Sequence, residues 1–310
     1  MAAFPAGAAD VVVEGVVAGA CIGVHILRAR VDEESWALSV HDFVEEDFGL
    51  EPGDMVPDLS LDPDDGVLSV INMTASHRAY HITLADAEAY GSQGTRLERD
   101  VLTFALHVPP RVVVDVCRVD LGGRRVDEIS IASDVVDVVP PPVPAAAAPS
   151  ESYAFPLCGE SFLCTQAAGG GLSHFAHAST YHAVDFRCAV GTPVLAVAAG
   201  SVLALEVAET RGGVHVSALF AWNRVALKLD DGAVVEYVHV RADSALVSVG
   251  DRVSAGQQLC ESGDVGFCPE PHLHIEMHLS TDADAPSVPF ALRRRDGSHA
   301  VPEAGQWWTP

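Results

Sequence analysis

Short apolar runs broken by glycine, aspartate and proline turns recur along the whole chain, and no long amphipathic helical stretch competes with them. In the first half they include GVLSVINMTA, HRAYHITL, VLTFALHV and RVVVDVCRVDL; in the second, HAVDFRCAV, NRVALKLDD, AVVEYVHV and HLHIEMHL. Strand side chains alternate between two faces, so such runs bounded by clusters like DPDDG and DLGG read as β-strands. The pattern predicts a mainly β protein. One tract has neither strand nor helix periodicity: PPPVPAAAAPSES, residues 140–152, reads as a Pro/Ala-rich, semi-stiff linker. It divides the chain into a β-sandwich-like domain at 1–139, whose role the sequence does not state, and a second β domain at 153–310. At 310 residues, each half is long enough to bury its own core.

Charge and cysteine content narrow the partners. The net charge of −25 is divided as −16 over residues 1–150 and −9 over residues 151–310. Such a surface repels phosphate backbones and anionic polymers, which argues against nucleic acid as a partner. No apolar run reaches membrane-spanning length, so no membrane span is expected. The apolar start lacks a basic n-region and carries Asp10 and Glu14; it does not read as a signal peptide, which favours the cytoplasm over secretion. The seven cysteines are an odd number and none forms a C-x-x-C pair. Cys158 with Cys164, and Cys260 with Cys268, are close enough in sequence for local disulfides, while a reducing compartment would leave buried thiols. Asn72-Met73-Thr74 is a formal glycosylation sequon of little weight.

Histidine is concentrated in the second half, which holds nine of the 14. His25, His41, His77, His81 and His107 are scattered and read as surface or satisfied core residues. The segment PHLHIEMH, residues 271–278, instead sets His272, His274, Glu276 and His278 on one strand face, with Leu273 and Ile275 behind. Alone, that face fits a metal site or a wet strand equally well. Two further segments supply partners: SHFAHASTYHAVDF at 173–186 and EYVHV at 236–240. A catalytic zinc site takes three protein ligands and keeps one position open. Additional histidines can hold a water or stabilise an oxyanion.

These segments, in this order, resemble the lysostaphin/LytM-type zinc endopeptidases, whose fold is the duplicated hybrid motif. DFRCAVGTPVLAVAAGSV (185–202) is similar to the family's segment from the metal-binding aspartate through a G-T-P-V strand. NRVALKLDDGAVVEYVHV (223–240) resembles its hairpin ending in Y-x-H, and VSVGDRVSAGQQLCESGDVGFCPEPHLHIE (247–276) its turn-rich approach to H-L-H. The resemblance covers about residues 155–290 and implies a duplicated-hybrid-motif β-sandwich or barrel-like peptidase domain. It implies Zn2+ as the cofactor, Asp185 and His274 as metal ligands, and His239 and His272 as catalytic histidines beside the water.

The sequence departs from the family at the first metal histidine. The common form is H-x-G-x-D, and here Tyr181 stands four residues before Asp185. A looped variant with an upstream S-H resembles this stretch and favours His174, with His182 second and His177 third. Phe267-Cys268-Pro269-Glu270 stands where relatives have small residues; Cys268 reads as a packed or disulfide-bonded cysteine ahead of an extra ligand or redox-sensitive thiol. Glu276 and His278 could orient the ligands. The resemblance implies zinc-dependent hydrolysis of peptide bonds, with glycine-rich or peptidoglycan-type peptides as the substrate class. The alternative is a peptidase-like domain that binds or regulates without hydrolysis.

Overall fold

A computed structural model of the chain describes residues 11–17, 20–27, 38–41, 43, 48, 50, 54–91, 96–97, 101–138, 153–282 and 284–310. The linker expected at 140–152 lies outside them. The protein is mainly β, as its alternating runs predict, and helix among the described residues is confined to short 3-10 turns such as Val126–Glu128. No helix among the described residues is long and apolar enough to cross a membrane. Contacts divide the chain into two units, one running to Val138 together with Val214–Val216, the other comprising Val139–Gly213 and Ser217–Pro310.

The first unit has two antiparallel sheets. One runs in the order Val11–Val17, Ala20–Leu27, Val101–Val108, Arg78–Ala85, Ser130–Asp137. The other runs Leu59–Leu61, Val67–Asn72, Val112–Asp120, Glu88–Tyr90, Arg96–Leu97, with Ser39–His41 also paired to Val112–Asp120. Alternate residues of both sheets meet in one core: Tyr80, Ile82, Leu84, Phe104 and Leu106 from the first, Leu68, Val70, Val114 and Val116 from the second. Period-two alternation is what lets each strand contribute a full row of apolar side chains. Asn72 of the sequon is fully buried, and its amide donates to the carbonyls of Ser76, Val108 and Pro109. That side chain is a structural tie between strand ends.

The second unit is built on an eight-stranded sheet in the order Arg252–Val253, Gly200–Glu206, Arg224–Leu229, Val234–Val238, His272–His278, Val184–Arg187, Phe162–Gln166, Trp307–Trp308. Pro193–Leu195 and Gln258–Glu261 form a separate antiparallel pair. The strand His272–His278 lies inside the sheet and is buried along its whole length. Its odd-numbered members Leu273, Ile275 and Met277 enter the apolar core, beside Phe155, Phe186 and Trp308. The Phe155 ring stacks on Trp308 at 6.0 Å and meets the edge of Phe186 at 4.9 Å. The opposite face of the same strand is left to its histidines and glutamate.

Cys117, Cys164, Cys188, Cys260 and Cys268 are buried free thiols and Cys158 is an exposed one, so neither local disulfide forms. One buried polar contact in this core is testable directly. The Val197 N–H donates to Tyr237 Oη over 2.9 Å, and Tyr237 is wholly buried. Tyr237→Phe strands that donor and is expected to lower stability by about 1–3 kcal/mol. Urea unfolding followed by tryptophan fluorescence measures it, because Trp222, Trp307 and Trp308 all belong to this unit. An unchanged midpoint would show that the bond contributes nothing.

Candidate metal centre

Strand register assembles the site. Val184–Arg187 and Val234–Val238 flank His272–His278, placing Asp185 directly opposite His274 on one side and Val238 opposite it on the other. Directly opposed residues share a face, so the Asp185 and His274 side chains stand together. His239 follows the end of its strand with φ +60, a left-handed conformation uncommon for a residue with a Cβ. The turn is accommodated by Gly263, where a Cβ would lie 2.8 Å from both His239 O and Arg241 N. His174 arrives from a turn-rich loop rather than a strand, and is completely buried.

Three donor atoms converge. Asp185 Oδ1 lies 3.2 Å from His174 Nε2 and 3.0 Å from His274 Nδ1, and the two nitrogens are 3.2 Å apart. The other nitrogen of each ring is occupied. His174 Nδ1 is 3.1 Å from the Ala167 carbonyl, and His274 Nε2 is 3.3 Å from Glu276 Oε2. With the ring protons donated outward in this way, Nε2 of His174 and Nδ1 of His274 point their lone pairs at the same space. Asp185 Oδ1 is buried there without a properly directed hydrogen bond. A buried carboxylate oxygen and two imidazole lone pairs in mutual contact form a donor set that asks for a cation. Tetrahedral zinc with bonds near 2.0–2.1 Å sets its ligand atoms ~3.3 Å apart, close to the spacing found here.

The second pair of histidines sits against this group. The His272 ring lies 4.6 Å from His239 between centroids, and His272 Nε2 is 3.7 Å from Asp185 Oδ2. Both rings donate Nδ1–H to backbone: His239 to Val265 O at 2.6 Å, His272 to Glu270 O at 2.7 Å. Their Nε2 atoms are thus the reactive ones. Burial, reinforced by the neighbouring His272 and His274, holds His239 well below the usual histidine range. Burial lowers His272 too, but Cys268, Asp185 and the Glu270 carbonyl outweigh it and hold that ring well above the range. Burial disfavours the Asp185 anion, yet the neighbouring His174 and His272 keep its carboxyl well below the ordinary value. Two adjacent imidazoles of opposite proton affinity offer one group to accept a proton and one to donate.

Of the residues singled out in the sequence, His174, Asp185, His274, His239 and His272 are brought together. His182 and His177 are not in the converging group. His182 is half-buried against the Tyr181 ring at 5.0 Å, and His177 meets Phe220 at 5.5 Å. Cys268 Sγ lies 3.3 Å from His272 Nδ1, on the side away from the donor set. Glu276 bridges His274 and His278, its Oε1 3.4 Å from His278 Nε2; burial opposes its charge, but the two imidazoles hold its carboxyl down at about 2. Residues absent from the sequence reading also build the site. The Ala167 and Val265 carbonyls fix two rings, Arg187 pairs with Glu270 at 2.7 Å beneath His272, and Gln166 donates to Asp185 Oδ2 at 2.8 Å. A buried polar residue closing the apolar run FLCTQ was the one sequence signal for Gln166.

Comparison with known proteins finds a family match across most of the stretch that builds this centre. The model of peptidase family M23 matches residues 179–286. Residues 179–286 form an M23 peptidase domain. The M23 domain carries Asp185, His239, His272 and His274, while His174 lies just before the matched stretch. Over 125 residues the chain is 34% identical to the glycyl-glycine endopeptidase ALE-1 of Staphylococcus capitis, covering 39% of this chain and 32% of that protein. An uncharacterised metalloprotease of Haemophilus influenzae is 35% identical over 103 residues, 33% of this chain and 19% of its own length. Among solved structures, the catalytic domain of lysostaphin from Staphylococcus simulans is 26% identical, with 42% of this chain and 86% of that chain covered at a TM-score of 0.31. The chain spans a third or less of the length of the curated relatives described here. The M23 match, with a metalloprotease among the relatives, supports a domain of the metallopeptidase type.

Proposed function

We propose that the M23 domain is a zinc-dependent endopeptidase, with His174, Asp185 and His274 as the ligands of Zn2+. The observation that carries this reading is the convergence of three donor atoms 3.0–3.2 Å apart whose ring partners are tied back by Ala167 and Glu276. Zinc in such a site supplies a Lewis acid that acidifies water and polarises a carbonyl. His239 Nε2, kept unprotonated by burial, accepts the proton of the attacking water. His272 Nε2 donates toward the oxygen that gains negative charge. A groove of about 470 Å³ is lined by Glu276, the partner of His274 Nε2, and by Phe220, Trp222, Glu236 and His278, and is the place proposed for the substrate peptide.

Glycine-rich or peptidoglycan-type peptides are the proposed substrates, supported by the similarity to a glycyl-glycine endopeptidase. The test is hydrolysis of pentaglycine and of peptidoglycan stem peptides by the full chain, before and after chelation. We expect one zinc per chain, activity lost with the metal and regained on adding zinc back. Stoichiometric zinc without turnover on any peptide would replace this reading with that of a binding or regulatory module. Intact protein that takes up no zinc would remove the zinc-peptidase reading.

A further inference from the structure

We propose that Gln166 is a positioning residue of the metal centre, its one side-chain amide fixing both the Asp185 carboxylate and the loop that presents His174. The inference rests on the zinc-peptidase reading and adds to it a residue outside the matched stretch of the family.

The backbone brings Gln166 to Asp185 by an irregularity. Along the pairing of Phe162–Gln166 with Val184–Arg187, Leu163 opposes Arg187 and Cys164 opposes Phe186. A regular antiparallel ladder would continue with Thr165 opposite Asp185. The register shifts instead, and Gln166 takes that place. An extra residue in one strand re-aims the side chains beyond it, so the bulge turns Gln166 rather than Thr165 toward the centre.

Every hydrogen-bonding capacity of the amide is then used at the site. Gln166 Nε2 donates to Asp185 Oδ2 at 2.8 Å and to Ser173 Oγ at 3.2 Å. Gln166 Oε1 accepts the backbone N–H groups of Leu172, at 3.2 Å, and Ser173, at 3.0 Å. Ser173 is the residue before His174. The same planar group that holds Oδ2 therefore leaves Oδ1 facing the two imidazole nitrogens, and pins the loop one residue from the His174 Cα. Gln166 is itself buried, where an unfilled amide would be costly.

Gly170 gives independent support. A Cβ there would collide with Gln166 Cγ and lie 2.7 Å from Oε1 and 2.8 Å from Cδ. Its φ is not in the left-handed region, so backbone conformation does not require glycine at this position. What requires it is the space occupied by Gln166.

Two substitutions separate this role from ordinary packing. Gln166→Glu keeps the size and the acceptor for the Leu172 and Ser173 N–H groups, but replaces the donor to Asp185 with a like charge. Gly170→Ala leaves Gln166 and all three ligands in the sequence and displaces the amide. In the full-length protein, Zn2+ affinity is read by competition with a chromophoric chelator, and coordination by the visible bands of the Co2+-substituted protein. Loss of such an outer hydrogen bond weakens metal binding about 10–100-fold. We expect that loss in Gln166→Glu, a loss in the same direction in Gly170→Ala, and altered Co2+ bands in both, with the metal-free variants less stable than wild type but still folded at the assay temperature by thermal unfolding. Wild-type affinity and wild-type bands in both variants would overturn the inference while leaving the peptidase reading intact. A wild-type chain that binds neither metal would overturn the peptidase reading and this inference with it.

Discussion

Asp185→Ala is expected to abolish stoichiometric zinc binding and to reduce peptide hydrolysis by roughly 10³-fold or more. The magnitude follows from what the carboxylate does. It is the anion of the donor set, lying 3.2 Å from His174 Nε2 and 3.0 Å from His274 Nδ1. Without it, two neutral imidazoles would face a doubly charged cation inside a buried site, with nothing to offset the dehydration of the ion. Lewis-acid stabilisation of the transition state is worth several kcal/mol, and each 1.4 kcal/mol is about tenfold in rate, which sets the expected loss. The loss must appear in metal content as well as in turnover. Atomic absorption on the dialysed variant, beside single-turnover hydrolysis of pentaglycine, measures both. Near-native zinc in Asp185→Ala would sink the assignment of the donor set. Zinc lost with hydrolysis retained would sink the mechanism instead. His274→Ala is expected to behave in the same way, since its Nδ1 is one of the three converging atoms.

The residues of this centre differ in how plainly the sequence shows them, and the differences are physical. His272 and His274 are legible because a strand has period two: HLHIEMH puts imidazoles on one face and Leu273, Ile275 and Met277 in the core without reference to anything else. Asp185 and His239 are legible only as parts of longer segments, because their meeting with His274 depends on register between three strands. Period-two reasoning could not choose the histidine preceding Asp185. His174, His177 and His182 all lie in a looped stretch before the strand Val184–Arg187 begins, where no fixed periodicity relates sequence spacing to direction. What selects His174 in space is the Ala167 carbonyl, which turns its ring inward. Gln166 was hidden for a different reason. Its approach to Asp185 needs a bulge that shifts the strand by one residue, and a one-residue shift reverses which face a side chain occupies. The alternating runs of the first unit show its sheets but carry no chemistry that marks a site.

His239→Asn is expected to retain zinc and to lose about 10²–10⁴-fold in kcat, the range for removal of a general acid or base. Asparagine is the informative replacement because φ at this position is +60, and asparagine tolerates the left-handed region better than alanine. The fold of the turn against Gly263 is thereby kept while the imidazole is removed. His239 is not among the three converging donors, so the metal should stay. It does touch the other reacting groups: its ring is 4.6 Å from His272 and 5.9 Å from His274 between centroids. Burial keeps it unprotonated and the Val265 carbonyl ties its Nδ1, which leaves Nε2 as the one basic atom it can offer. KM should change little, since His239 is not among the residues that line the groove proposed for the substrate. Steady-state kinetics on the zinc-loaded variant, with metal content verified on the same sample, distinguish the cases. A near-native kcat would remove His239 from the proton transfer; a variant that loses zinc would make it a ligand.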